Sequence, residues 1–294
     1  MTITLNDTHQ NKWARIRWFA QHRVNITTWF GLGVLIVLIG VALLANFVAP
    51  YDPQKIHPAH ILEGPGPRFL FGTDDVGRDI LSRIIFGSRV TLMVVILSVV
   101  PAACIGTILG LISGFFGGLI DSVTMRVLDA LLAFPVVLLA ILIMGVLGPT
   151  LANTIIAVAV VYTPSFARVA RSETLSVKER DFVEAARCIG SSYKRLMFRT
   201  ILPNIVSSII VVLTVSMATA ILLEAGLSFL GLGIQPPNPS WGLMLRTGRG
   251  FMNMAPWYSI FPGLAIFCTV LAFHLVGDGI RDFVDPRTRT GATK

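Results

Sequence analysis

Apolar stretches near 28–49, 90–112, 127–146, 151–169, 203–223 and 258–275 alternate with charged or Gly/Pro-rich segments. Crossing a bilayer takes about 20 helical residues at about 1.5 Å each, so the pattern predicts an all-α membrane protein with six transmembrane helices. Between the fourth and fifth stretches the pattern changes. Residues 178–203 read KERDFVEAARCIGSSYKRLMFRTILP, where apolar positions recur every three or four residues among charges. Ser176 and Glu179 form an S-x-x-E capping box that predicts a helix start just before Lys178. Phe182, Ala185, Ala186 and Ile189 then fall at i, i+3, i+4 and i+7, one apolar stripe. Gly190 supplies a left-handed stop, and Ser191 or Ser192 caps a second helix carrying Tyr193, Leu196, Met197, Thr200 and Ile201. Pro203 suits the first turn of the fifth span. Such a polar hairpin either lies on the lipid surface or docks against a protein. Glu179, Asp181 and Glu184 interleave with Lys178, Arg180 and Arg187, whereas lipid-surface helices favour plain Lys and Arg, so the mixture speaks for a protein partner.

Composition supports the membrane class: 54% hydrophobic, 14% charged, mean hydropathy +0.74. A formal charge of +8 would point to nucleic acid in a soluble protein, but here its distribution is what informs. With the N-terminus in the cytoplasm, 17 Lys and Arg residues fall on that side against 7 outside, in accord with the positive-inside rule. Six crossings return the C-terminus to the cytoplasm as well. Lys12, Arg15, Arg17 and Arg23 precede the first span, which exceeds the roughly 7–15 apolar residues of a signal peptide. A retained anchor is therefore expected. Cys104, Cys188 and Cys268 have no metal-ligand spacing and are read as small apolar fillers.

Two external stretches exceed simple turns. The first ends in FGTDDVGRDILSRIIFGSR, where Asp74, Arg78, Asp79 and Arg83 alternate in sign at helical spacing beside Ile80, Ile84 and Ile85. An amphipathic helix along the membrane surface is expected there. The second, 224–257, is either a re-entrant segment lining a cavity or an interfacial helix, with Trp241 and Trp257 suited to the interface. Gly106, Gly110 and Gly114 form a small-residue face for close helix contact, its partner unspecified.

Chemistry-bearing constellations are scarce. No lysine completes a phosphate-binding G-x-x-x-x-G-K-[ST] loop. Gly226-Leu227-Ser228 lacks the following glycine and a partner histidine for a serine nucleophile. Asp129, Glu224 and His274 lie near the ends of spans, where tilt or snorkelling reaches an interface. A self-sufficient secondary carrier would hold paired charges at midplane. The power source is therefore expected outside this chain.

Glu184-Ala185-Ala186, then Gly190, then Leu202-Pro203 resemble the EAA motif of permease subunits in binding-protein-dependent ABC importers. FGTDDVGRDILSR at 71–83, SFLGLGIQPPNPSWG at 228–242 and GDGIRDFVDP at 277–286 resemble its C-type branch, the permeases of dipeptide, oligopeptide and nickel importers. Thr200 departs from that pattern, where peptide permeases often carry His. The resemblance implies a type I importer permease fold with a coupling helix between transmembrane helices 4 and 5. It divides the chain into a cytoplasmic tail 1–27, a first helix 28–50, an external loop 51–88, a core 89–281 with coupling helices 176–202, and a cytoplasmic tail 282–294. It implies a multi-pass inner-membrane subunit without catalytic chemistry or cofactor of its own, ATP and Mg being bound by partner ATPase subunits. Partners implied are a second homologous permease, two cytoplasmic ATPases and an external substrate-binding protein, with no nucleic acid. Phe182, Ala185, Ala186 and Ile189 would fill a groove in the ATPase, Glu184 and Arg187 would make rim contacts, and Gly190, Leu202 and Pro203 complete the motif. Di- or oligopeptides, glutathione-like ones included, are the implied cargo, with nickel complexes as the alternative.

Overall fold

A computed structural model describes residues 26–284. The basic residues Lys12, Arg15, Arg17, Arg23, Arg287, Arg289 and Lys294 lie outside the described residues. Helices α1 (Ile26–Leu43), α2 (Ile80–Phe116), α3 (Gly118–Leu132), α4 (Val136–Leu147), α5 (Leu151–Lys178), α6 (Asp181–Cys188), α7 (Tyr193–Leu230), α8 (Trp241–Gly248) and α9 (Trp257–Val284) follow in order. Five of them (α1, α2, α5, α7 and α9) are long and apolar enough to cross a membrane, and α3 with α4 makes a sixth if that pair, bent by 90°, is one span.

Hydropathy located the lipid-facing middle of each helix but not its ends. Helix α2 starts ten residues before the expected 90–112 span, because Asp79 caps it: Oδ2 accepts from Ser82 N at 2.8 Å and from Ser82 Oγ at 2.6 Å. The surface helix expected over 71–89 is thus replaced by a folded loop and the first turns of α2. Gly72 and Gly77, at φ +76° and +83°, turn that loop so that Asp74 is wholly buried. Its carboxylate accepts from Val76 N and Arg78 N and pairs with Arg78 Nε at 2.6 Å. Arg83, nearly buried, faces the same carboxylate at 3.6 Å and donates to Pro53 O at 3.1 Å. The expected third span, 127–146, is broken at Pro135, which stands outside helical geometry at φ −55° and ψ 133° and has no N–H to continue the ladder.

The small-residue face of α2 meets α5 within this chain. A Cβ on Gly106 would stand 2.5 Å from Thr163 O, and one on Gly114 2.9 Å from Arg171 O. Hydrogen on these Cα atoms is what lets the two backbones approach. Beside this seam, Arg171 Nε and Nη2 donate to Asp121 Oδ1 and Oδ2, each at 2.5 Å, and Ser113 Oγ donates to the same carboxylate. These bonds pin α3 to both α2 and α5. Asp121→Asn should lower stability by about 1–3 kcal/mol, read as a lower melting temperature in detergent. Exchanging the two residues (Asp121→Arg with Arg171→Asp) should recover part of that loss.

The three cysteines expected as fillers are all exposed and free. Trp241, expected at the interface, is buried, and its Nε1 donates to Ile84 O at 3.0 Å. It anchors α8, which packs among α2, α7 and α9. The first part of the 224–257 stretch simply continues α7 to Leu230, where Gly231 at φ +85° ends the helix. Glu224, expected within reach of an interface, is fully buried. Asp129 instead pairs with Arg168 at 2.6 Å, both about half exposed.

Candidate functional site

The polar hairpin is present, with its helices set differently from expectation. The capping box does not form. Ser176 lies inside α5, and Glu179 follows its last residue. Helix α5 runs on because Val177 is 1% exposed against the core and Lys178 Nζ donates to Gly114 O at 3.1 Å. Burial and a tertiary hydrogen bond outweigh a local cap worth about 1 kcal/mol. Arg180, extended at φ −82° and ψ 145°, then precedes α6 without a side-chain cap.

Helix α6 ends in a Schellman motif. Ser191 N donates to Ala186 O at 3.1 Å and Gly190 N to Arg187 O at 3.0 Å, while Gly190 sits at φ +80°. Ser192, not Ser191, caps the helix that follows, its Oγ accepting from Arg195 N at 3.4 Å. That second helix is not separate. It enters a π-helical stretch, Leu196–Ile201, and continues without interruption into the fifth span, so Pro203 does not open a new segment. Pro203 has no N–H to offer the Arg199 carbonyl, and the ladder widens ahead of it, with Leu202 N donating to Met197 O. Leu196, Met197 and Ile201 are buried, which keeps this base of α7 fixed to the body of the protein.

The apolar residues of α6 divide by face. Val183, absent from the predicted stripe, is wholly buried and packs against the core, with Ala186 half-buried beside it. Phe182, Ala185 and Ile189 point outward, Ile189 with 85% of its surface exposed. Tyr193 continues this outer ridge past Gly190 and leans edge-on against Phe115 at 5.8 Å. Glu184 and Arg187 are exposed along the same helix. Leu202 is half-buried and Pro203 exposed within α7. The structure therefore sets Phe182, Ala185 and Ile189 on one outward ridge, leaves Glu184 and Arg187 exposed elsewhere around the same helix, and places Leu202 and Pro203 on the neighbouring helix. Val183 was missed because a fixed three-to-four spacing from Phe182 skips it; its β-branched apolar side chain in a charged run was the available signal.

The result is an outward apolar ridge on a short helix seated by Val183, with the free, exposed thiol of Cys188 at its end. Among the described residues no group of three or more His, Cys, Asp or Glu stands together as a metal site.

Comparison with known proteins agrees with the fold and extends over the site. Residues 106–290 match the family described as binding-protein-dependent transport system inner membrane component, and residues 13–65 match the N-terminal TM domain of oligopeptide transport permease C. A dipeptide transport system permease protein of Haemophilus influenzae is 43% identical over 265 residues, covering 88% of this chain and 90% of the relative. A glutathione transport system permease protein of Escherichia coli O1:K1 is 46% identical over 278 residues, 94% of this chain and 90% of the relative. A chain from the crystal structure of an amino acid ABC transporter with histidines superposes with a TM-score of 0.54 at 18% identity, covering 67% of this chain and 92% of that chain. That likeness is one of fold.

Proposed function

The chain belongs to the binding-protein-dependent transport system inner membrane component family, and from that premise we propose how it works as the permease subunit of a peptide importer. It forms one half of a translocation pore, the other half being a homologous permease. The ridge of Phe182, Ala185 and Ile189 seats in a groove of a cytoplasmic ATPase subunit, with Glu184 and Arg187 at its rim. Both termini and this hairpin then lie in the cytoplasm, and the loop over 51–79 faces the external binding protein. Burying an outer ridge of this kind supplies the hydrophobic part of the contact, and the exposed Glu184 and Arg187 set its register.

Motion follows from how the hairpin is attached. Helix α6 hangs between α5 and α7, held by Val183 beneath and by the buried base of α7. Approach of two ATPase subunits on ATP moves the paired hairpins together and turns each bundle as a rigid body between inward- and outward-open states. ATP and Mg stay with the ATPases, so this subunit contributes no catalytic group. Dipeptides and related small peptides, glutathione included, are the proposed cargo, because the relatives similar over nearly all of this chain carry those names.

The observation that carries this reading is an apolar ridge left outward on an otherwise charged helix. Reconstitution tests it. Liposomes holding this chain with its partner permease and ATPases should take up a labelled dipeptide when ATP and binding protein are supplied. Liposomes holding this chain alone should take up none. Uptake by the chain alone, without ATP, would sink the proposal.

A further inference from the structure

Glu224 is fully buried on α7, and among the described residues it forms no ion pair with Lys, Arg or His. Its Oε1 accepts from Ser228 Oγ at 2.8 Å and from Ser240 Oγ at 3.2 Å. Ser228 Oγ in turn accepts from Ile234 N at 3.3 Å. Ser240 stands at the N-cap of α8 in extended conformation yet gives that helix no side-chain bond, its hydroxyl being turned to Glu224 instead. A cap worth about 1 kcal/mol is forgone in favour of this contact. Thr91 of α2 is buried beside the same carboxyl group. Glu224 Oε2 and Thr91 Oγ1 are both buried at this junction, and neither has a hydrogen-bond partner among the described residues.

The surroundings hold this junction shut. Gly242 of α8 is pressed on α7, where a Cβ would stand 2.8 Å from Ser228 Cβ, and Gly87 of α2 is pressed on Trp241, where a Cβ would stand 2.8 Å from its ring. Two elements are therefore joined at one carboxyl group, α7 through Glu224 and Ser228 and the start of α8 through Ser240, with Thr91 of α2 buried alongside. Helix α7 has its other end in the hairpin, 38 residues and about 57 Å of unbroken helix in all. What moves the hairpin end of α7 moves this junction too.

We infer that Glu224 is a positioning residue that fastens the segment 231–248 to α7 through hydrogen bonds rather than through charge, so that a displacement at the hairpin reaches the opposite face of the protein. This rests on the importer reading above. The carboxyl Oε1 accepts hydroxyls from two different elements, α7 and the start of α8, which no apolar side chain does. Glutamine keeps an accepting oxygen for both hydroxyls; alanine leaves Ser228 and Ser240 without their common partner.

The test uses the complete transporter in liposomes, with wild-type uptake establishing that the importer reading holds. Glu224→Gln should retain uptake and ATP hydrolysis within about twofold of wild type, while Glu224→Ala should lose uptake by about tenfold or more with hydrolysis largely kept. Ser240→Ala should fall between them. Wild-type uptake by Glu224→Ala overturns the inference. So does a Glu224→Gln variant as impaired as Glu224→Ala, since charge would then be what matters, as for a bound proton or alkali cation. Loss of uptake and hydrolysis together with loss of assembled complex leaves only a packing role and overturns it as well.

Discussion

Gly110→Leu should leave little or no assembled protein in the membrane. A Cβ at this position would collide with the Ala167 carbonyl oxygen and stand 2.8 Å from Ala170 Cβ. The obstacle is the backbone of a packed helix, which cannot swing aside as a side chain does. Helices α2 and α5 would have to separate along the whole seam of Gly106, Gly110 and Gly114, and the Asp121 carboxylate of α3, which holds Ser113 of α2 and Arg171 of α5, would be pulled with them. Overpacking of this kind costs about 1–3 kcal/mol where neighbours relax, and more where backbone must move. In a membrane the loss is felt fully, because helix association there depends on close packing with little hydrophobic drive. Gly145→Leu is the matched control, since a Cβ there meets nothing within 4 Å. Yield in the membrane fraction and melting temperature in detergent check the pair. Equal behaviour of the two variants would contradict the α2–α5 seam.

Gly190→Pro should abolish uptake while leaving the chain inserted and folded. Gly190 holds φ +80°, which proline, locked near −65°, does not reach, and its N–H donates to Arg187 O in the Schellman motif. The end of α6 would be re-aimed and Ile189 displaced from the outer ridge. Since a Cβ on Gly190 meets nothing within 4 Å, the change does not disturb the core. Uptake is expected to fall by about tenfold or more, a coupling loss above about 1.4 kcal/mol. Glu184→Lys, which reverses an exposed charge without touching the core, should separate ATP hydrolysis from uptake in the same direction. Parallel assays of hydrolysis and uptake on reconstituted complexes distinguish uncoupling from misfolding. Full uptake by both variants would count against the hairpin as the coupling element.

How far the molecule was legible in its sequence depended on whether the deciding contact was local. The membrane class, the positions of the spans, the stop at Gly190 and the outward set of Phe182, Ala185 and Ile189 all follow from spacing or composition. The helix ends do not. Helix α2 begins at Ile80 because Asp79 caps it and a folded loop buries Asp74, and hydropathy reads both as polar exterior. The Ser176–Glu179 capping box is sound as a local signal and loses to Val177 and Lys178, which reach partners far along the chain. Trp241 reads as an interfacial anchor by type but is buried against α2 through a bond to Ile84. Likewise, Gly106, Gly110 and Gly114 announce a close helix contact without naming α5. Glu224 was legible as a membrane carboxyl but not as a junction, since Ser240 reaches it only across the chain reversal after Gly231.

Cys188, at the end of α6 and exposed, gives the most direct measurement. With Cys104 and Cys268 replaced by alanine, Cys188 is the chain's one thiol for a membrane-impermeant maleimide. In intact cells it should stay unlabelled. In inverted membrane vesicles it should label readily when this chain is expressed without the ATPase subunits and be protected when they are present. Labelling from outside intact cells, or equal labelling with and without the ATPases, would contradict a cytoplasmic hairpin seated in its motor.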